Sequence, residues 1–166
     1  MKKQKGFSLI ELLIVVAIIL IIAAIAIPNL MRSRMAANEA SAAGSLRTVN
    51  TAEVTYSTTY GTGFAPLANL GGASPCTAAA ATACLIDPVL TGGAKSGYTV
   101  ATSVPAALGT VAAPNVTYEV SAQPIAAGQS GQRTFCTDQS GVIRANPAGG
   151  APPAACANAA AFLPIQ

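Results

Sequence analysis

Residues 7–27 form an apolar run of 21 residues that carries one charge, Glu11, and follows Lys2, Lys3, Lys5 and Gly6. As a helix, a run of that length crosses the ~30 Å hydrocarbon layer of a bilayer. The lysines ahead of it hold the N-terminal side in the cytoplasm and direct the rest of the chain outward. A carboxylate inside lipid costs roughly 2.5–3.5 kcal/mol even on the lenient insertion scale, so Glu11 calls for a partner. A plain membrane anchor explains the length and the lysines but not the glutamate. A secretory signal peptide has a shorter apolar core that ends in a small-residue cleavage site. Here the run passes through Ala23 and Ala24 to Ile27, Pro28 and then a polar helical stretch. The cut that fits the sequence precedes the run, at Gly6.

The helix is expected to continue beyond the apolar run to Thr59 or Tyr60. Met35, Ala42, Val49 and Tyr56 recur every seven residues with Leu46 on the same side, which makes one apolar stripe suited to core packing. Arg32, Arg34, Asn38, Glu39, Arg47 and Asn50 are expected to face elsewhere. Gly61 and Gly63 supply a C-terminal stop. From Phe7 to Tyr60 such a helix would be ~80 Å long. Pro28 lacks the backbone donor and clashes with the carbonyl four residues earlier, so it should kink or loosen the helix.

After Gly61 the composition shifts. Residues 61–95 read as a loop region rich in Ala, Gly, Pro and Thr, with a short helical turn allowed over 77–83. Four strands are expected at 97–104, 116–122, 132–138 and 141–145, where β-branched and aromatic residues partly alternate. Asp138 and Gly141 suit a tight connection between the last two, which should form a hairpin. The tail from Asn146 is rich in Ala and Pro and reads as irregular apart from a tether at Cys156.

Four cysteines fit export to an oxidising compartment. Cys76–Cys84 would close a small local loop and Cys136–Cys156 would pin the tail to the hairpin; a cross-pairing such as Cys84 with Cys136 stays open. A zinc site would need Cys-x-x-Cys spacing or histidine, and the chain has neither. Without histidine there is no Ser-His or Cys-His pair, and Gly71-Gly72 and Gly92-Gly93 read as turns rather than phosphate loops, so no enzymatic activity is expected. Asp87, Glu119 and Asp138 are too scattered for a calcium loop, with Asp138 beside the tail the nearest to a ligand. No metal and no cofactor is expected. The nine Lys and Arg against six Asp and Glu become six against six without the three N-terminal lysines. A near-neutral protein has no field to attract nucleic acid.

The stretch Lys5-Gly6-Phe7-Ser8-Leu9-Ile10-Glu11, followed by Leu12-Leu13-Ile14-Val15-Val16, resembles the class III leader and N-terminal helix of type IV prepilins and pseudopilins. The close resemblance covers residues 5–34. It implies cleavage between Gly6 and Phe7 by a prepilin peptidase, N-methylation of Phe7, and pairing of Glu11 with the N-terminal ammonium of a neighbouring subunit during filament assembly. Pro28 matches the family's helix-kinking proline. Cleavage places a new cation four residues from Glu11, and an opposite charge within ~4–6 Å keeps a carboxylate ionised.

The implied fold is α+β and pilin-like: a long N-terminal helix, membrane-spanning in its first half, packed on a small antiparallel sheet of three or four strands. The implied divisions are a leader (1–6), a transmembrane and filament-core helix (7–29), an amphipathic helix half (30–60) and a globular head (61–166). The implied partners are the membrane and an inner-membrane assembly platform before assembly, and copies of the same chain afterwards in an extracellular pilus. A surface pilus subunit serving adhesion, twitching motility or DNA uptake is the expected function. A pseudopilin of type II secretion, whose major form often carries calcium near the C-terminus, is the alternative.

Overall fold

A computed structural model describes residues 8–105 and 107–165. The chain divides into two compact units between Arg34 and Met35. One helix, α1 (Leu9–Tyr60), supplies residues to both. It is followed by two single-turn helices, α2 (Leu67–Leu70) and α3 (Pro88–Thr91), and by six strands. These are β1 (Ala94–Lys95), β2 (Tyr98–Val104), β3 (Glu119–Pro124), β4 (Thr134–Asp138), β5 (Arg144–Asn146) and β6 (Leu163–Pro164).

In the first unit, the helical residues 9–34 are exposed apart from half-buried Ala23. Up to Ile27, leucine, isoleucine, valine and alanine cover every side of the helix, so that part has no polar face to turn toward water. The helical assignment runs through Pro28 without a break.

The second unit is a head with its own core. Every strand pairs antiparallel with the next, giving a six-stranded sheet in the order β1-β2-β3-β4-β5-β6. The fold is therefore α+β. Period-two alternation sets the faces. Val120 and Ala122 of β3 point inward to meet Leu46, Val49 and Tyr56 of α1 in one core, with Tyr98, Val100, Phe135, Ile143 and Ala145 from the other strands. Leu67, Leu70 and Leu90 from α2 and α3 close the same core at one side.

The helix ends where glycine allows it. Gly61 takes φ +66°, and its N–H still donates to Ser57 O at 3.0 Å, which caps the last turn. The β4–β5 hairpin pairs Cys136 with Arg144, and at its turn Ser140 N–H donates to Asp138 Oδ1 at 2.9 Å. That is the Asx geometry that aspartate favours at such a position.

Three features differ from the sequence expectation. Residues 77–83 form no helical turn but a tight reversal inside the Cys76–Cys84 loop, where Ala79 and Thr82 exchange both backbone hydrogen bonds at 3.0 Å. The tail is not irregular to its end, since Leu163–Pro164 pairs with Arg144 and Ala145 and supplies the sheet's last strand. The segment 61–95, expected as loop, contains α2, α3 and β1. Asp87 starts α3 by accepting the Leu90 N–H on Oδ1 at 2.9 Å, with Pro88 next in line.

Candidate functional site

The feature with the least structural justification in an isolated chain is the apolar surface of α1. Ile14, Leu20 and Ile25 are 52%, 64% and 71% exposed. Fully burying a side chain of that kind is worth ~1.5–3 kcal/mol, and more than half of each of these surfaces stays uncovered. Glu11 sits on this surface, one turn into the helix. Its Oε2 accepts the Ser8 backbone N–H at 2.9 Å, the reach-back half of a capping box, while Leu12 N–H donates to Ser8 O at 3.2 Å. The carboxylate is thus held at the start of α1, where the helix dipole also favours a negative charge. Gly6 and Phe7, the residues of the expected cleavage and methylation, lie outside the described residues.

In the head, α1 presents more than an apolar stripe to the sheet. Glu39, Asn50 and Glu53 share the inward face with Ala42, Leu46, Val49 and Tyr56, at spacings of three and four residues. This corrects the expectation that Asn38, Glu39 and Asn50 face away. Charge and amide type argued for an outward position, and only the i, i+3, i+4 spacing carried the signal that places them inward.

Glu39 is the anchor of the near end of the head. Oε1 accepts the N–H groups of Gln132 and Arg133 at 2.9 and 3.1 Å, and Oε2 accepts from Arg133 Nε at 2.7 Å. Burial by itself would raise its pKa, but those three donors outweigh burial and hold the carboxyl below its usual range. Asn38 adds a bond from Nδ2 to Ser130 O at 2.8 Å.

Midway along the head, Asn50 joins three partners. Its Nδ2 donates to Thr137 Oγ1 and Gly141 O at 3.0 and 3.1 Å, and its Oδ1 accepts from the Tyr118 hydroxyl at 3.0 Å. One turn on, Glu53 is fully buried. Its Oε2 accepts the Ala65 N–H at 2.9 Å, and its Oε1 has no partner among the described residues. Burial pushes its pKa up to about 7, with the Ala65 bond opposing only in part.

The cysteines form two disulfides, Cys76–Cys84 and Cys136–Cys156. The second lies on the sheet face opposite α1, with Phe162 packed on it. Cys156 N–H donates to Glu119 Oε1 at 3.2 Å and Thr134 Oγ1 donates to Gly150 O at 2.8 Å, so the tail straps the outer face of β4, and with α1 on the inner face all five of its residues are buried. Asp138 belongs to this layer. Its Oδ1 is engaged by Ser140, and among the described residues no group of three His, Cys, Asp or Glu side chains gathers. A groove between α1, the β4–β5 turn and the tail is lined by Arg47, Gly141, Val142, Ile143 and Ile165, with Arg47 its single charge.

Residues 1–27 match the prokaryotic N-terminal methylation motif. The chain is similar to the type IV wide pilus major component PilA4 of Thermus thermophilus, with 62% identity over 39 residues, 24% of this chain and 30% of that protein. It is also similar to the type IV major pilin protein PilA of Myxococcus xanthus, with 44% identity over 54 residues, 32% of this chain and 24% of that protein. The chain thus spans less than a third of the length of these curated relatives. No solved structure matches.

Proposed function

Because the N-terminal segment of this chain is that of the type IV pilin family, we propose that the protein is a structural subunit of a type IV pilus. It is held in the inner membrane by α1 and then polymerised through the same helix into an extracellular filament. The observation that carries this reading is the exposed apolar run of α1 up to Ile27, with Glu11 as its one charge. In a filament the apolar side chains of neighbouring helices bury one another, which removes their surface from water or lipid.

Prepilin peptidase cuts between Gly6 and Phe7 on the cytoplasmic side, and Phe7 is then N-methylated. The cut creates an ammonium at Phe7 and removes Lys2, Lys3 and Lys5, whose charges oppose withdrawal of the helix through the bilayer. As a subunit leaves the membrane, the ammonium of a neighbour meets Glu11 and offsets the desolvation of its carboxylate. Pro28 leaves the Ala24 carbonyl without an intrahelical donor and makes that turn the place where α1 bends during packing. The inner-membrane assembly platform supplies the site of addition.

Glu11→Ala is expected to insert in the membrane normally and to give at least about tenfold less sheared filament, the loss of one charge-assisted contact per addition step. Quantifying subunit in sheared and membrane fractions checks this, and undiminished filament would refute the pairing. Intact mass of wild-type material should show a species beginning at methylated Phe7 in the sheared fraction. A processed species confined to the membrane fraction would favour a secretion pseudopilus instead.

A further inference from the structure

We propose that the membrane-anchored subunit takes a defined register, with residues 12–31 as its span. Glu11 then lies at the inner headgroup layer, and Arg32 and Arg34 at the outer one, with their guanidinium groups on lipid phosphates. This rests on the anchoring proposed above and adds to it where the helix stops. Between Glu11 and Arg32 lie twenty residues without an ionisable side chain. At 1.5 Å per residue they cover ~30 Å, the thickness of the hydrocarbon layer. α1 is continuous across them, and every side chain of this stretch except half-buried Ala23 is exposed.

The competing register puts residues 7–27 in hydrocarbon. It sinks Glu11 about 6 Å, one turn, below the boundary. It also leaves Leu30 and Met31, both already exposed, in water. Two observations favour the shallower position. At the inner end, the Glu11 carboxylate reaches back along the helix to accept the Ser8 N–H at 2.9 Å, which turns its charge toward the N-terminal, headgroup side. At the outer end, Arg32 and Arg34 are exposed and make no ion pair among the described residues. Two positions apart they point to different sides of the helix, so one cation reaches the phosphate layer on each flank, and the planar fork of arginine matches phosphate oxygens. Their stems lie along the last apolar turn while the charges reach outward.

The register makes Glu11 a latch. An anchored subunit keeps its carboxylate at the headgroups, but outward movement drags Glu11 into hydrocarbon and pulls Arg32 and Arg34 off their phosphates. A neighbour's ammonium relieves the first of these costs at the moment of assembly, so free subunits stay in the membrane and subunits beside a growing end leave it.

The test uses the full chain in intact cells and in inside-out inner-membrane vesicles, with a membrane-impermeant maleimide and one added cysteine at a time. The native cysteines are held in disulfides and do not compete. Ile10→Cys should label only from the cytoplasmic side and Ser33→Cys only from the outer side, while Ile14→Cys, Leu20→Cys and Leu30→Cys resist both. A protected Ile10→Cys together with a reactive Leu30→Cys would overturn the register and leave the anchor intact. A reactive Leu20→Cys would overturn the anchor itself. Replacing both arginines (Arg32→Gln, Arg34→Gln) should make Leu30→Cys label several-fold faster, and an unchanged rate would remove the phosphate contacts.

Discussion

Glu39 and Glu53 lie fourteen residues apart on one face of α1 and have opposite electrostatic fates. Glu39 meets two N–H groups and a guanidinium and stays ionised, whereas Glu53 meets one N–H and is driven toward neutrality. Glu39→Ala strands two backbone donors and should cost about 2–4 kcal/mol. Arg133→Ala leaves those donors satisfied, and its partly exposed ion pair is worth only about 1 kcal/mol. Denaturant unfolding of the two variants in detergent checks the order, and equal losses would contradict it. For Glu53 the folded pKa of about 7 lies above the ordinary 4.5. The folded state therefore binds the extra proton between those values, and stability falls as pH rises through that window, then levels off above it. Glu53→Gln keeps an acceptor for Ala65 N–H without a charge, so it should be the more stable form at pH 8, by on the order of 1–3 kcal/mol. The advantage should vanish near pH 4. Equal stability of the two proteins at pH 8 would mean that Glu53 is solvated.

Among the elements, β4 is the one whose burial on both faces depends on chain far away in sequence. α1 covers one side, and the strap ending at Cys156 covers the other. The Cys136–Cys156 bridge spans 20 residues and Cys76–Cys84 spans 8. Loop entropy alone predicts about 3 and 2.5 kcal/mol for them, nearly the same. The larger bridge also holds Phe162 and the outer face of β4, so Cys136→Ser with Cys156→Ser should lower the melting temperature clearly more than Cys76→Ser with Cys84→Ser. Thermal unfolding followed by circular dichroism distinguishes them, and equal shifts would show that the strap stays in place without its bridge.

For the molecule as a whole, the division between Arg34 and Met35 separates a unit with no buried residue among those described from one with its own core. Removing residues 1–34 takes nothing from that core. The truncated chain is expected to be a folded, monomeric head that unfolds cooperatively and forms no filament. Size-exclusion chromatography and denaturant unfolding check it, and a head that is unfolded or aggregated would show that the first unit supports the second.

The sequence by itself determined the apolar helix, the place of Glu11 and Pro28 in it, the helix end before Gly61 and the strand-bearing second half. Each is written in neighbouring residues, as an uninterrupted apolar run, a periodicity or a turn residue, and local physics suffices to read it. The spacing of Glu39, Asn50 and Glu53 allows an inward position, but tertiary structure decided it, because a buried polar side chain is tolerated only where partners reach it: the N–H groups of Gln132, Arg133 and Ala65 for the two glutamates, and for Asn50 the Tyr118 hydroxyl as donor and Thr137 Oγ1 as acceptor. It likewise decided that Leu163 and Pro164 complete the sheet. Two residues have no strand signal of their own and become a strand only because β5 leaves an edge to be paired.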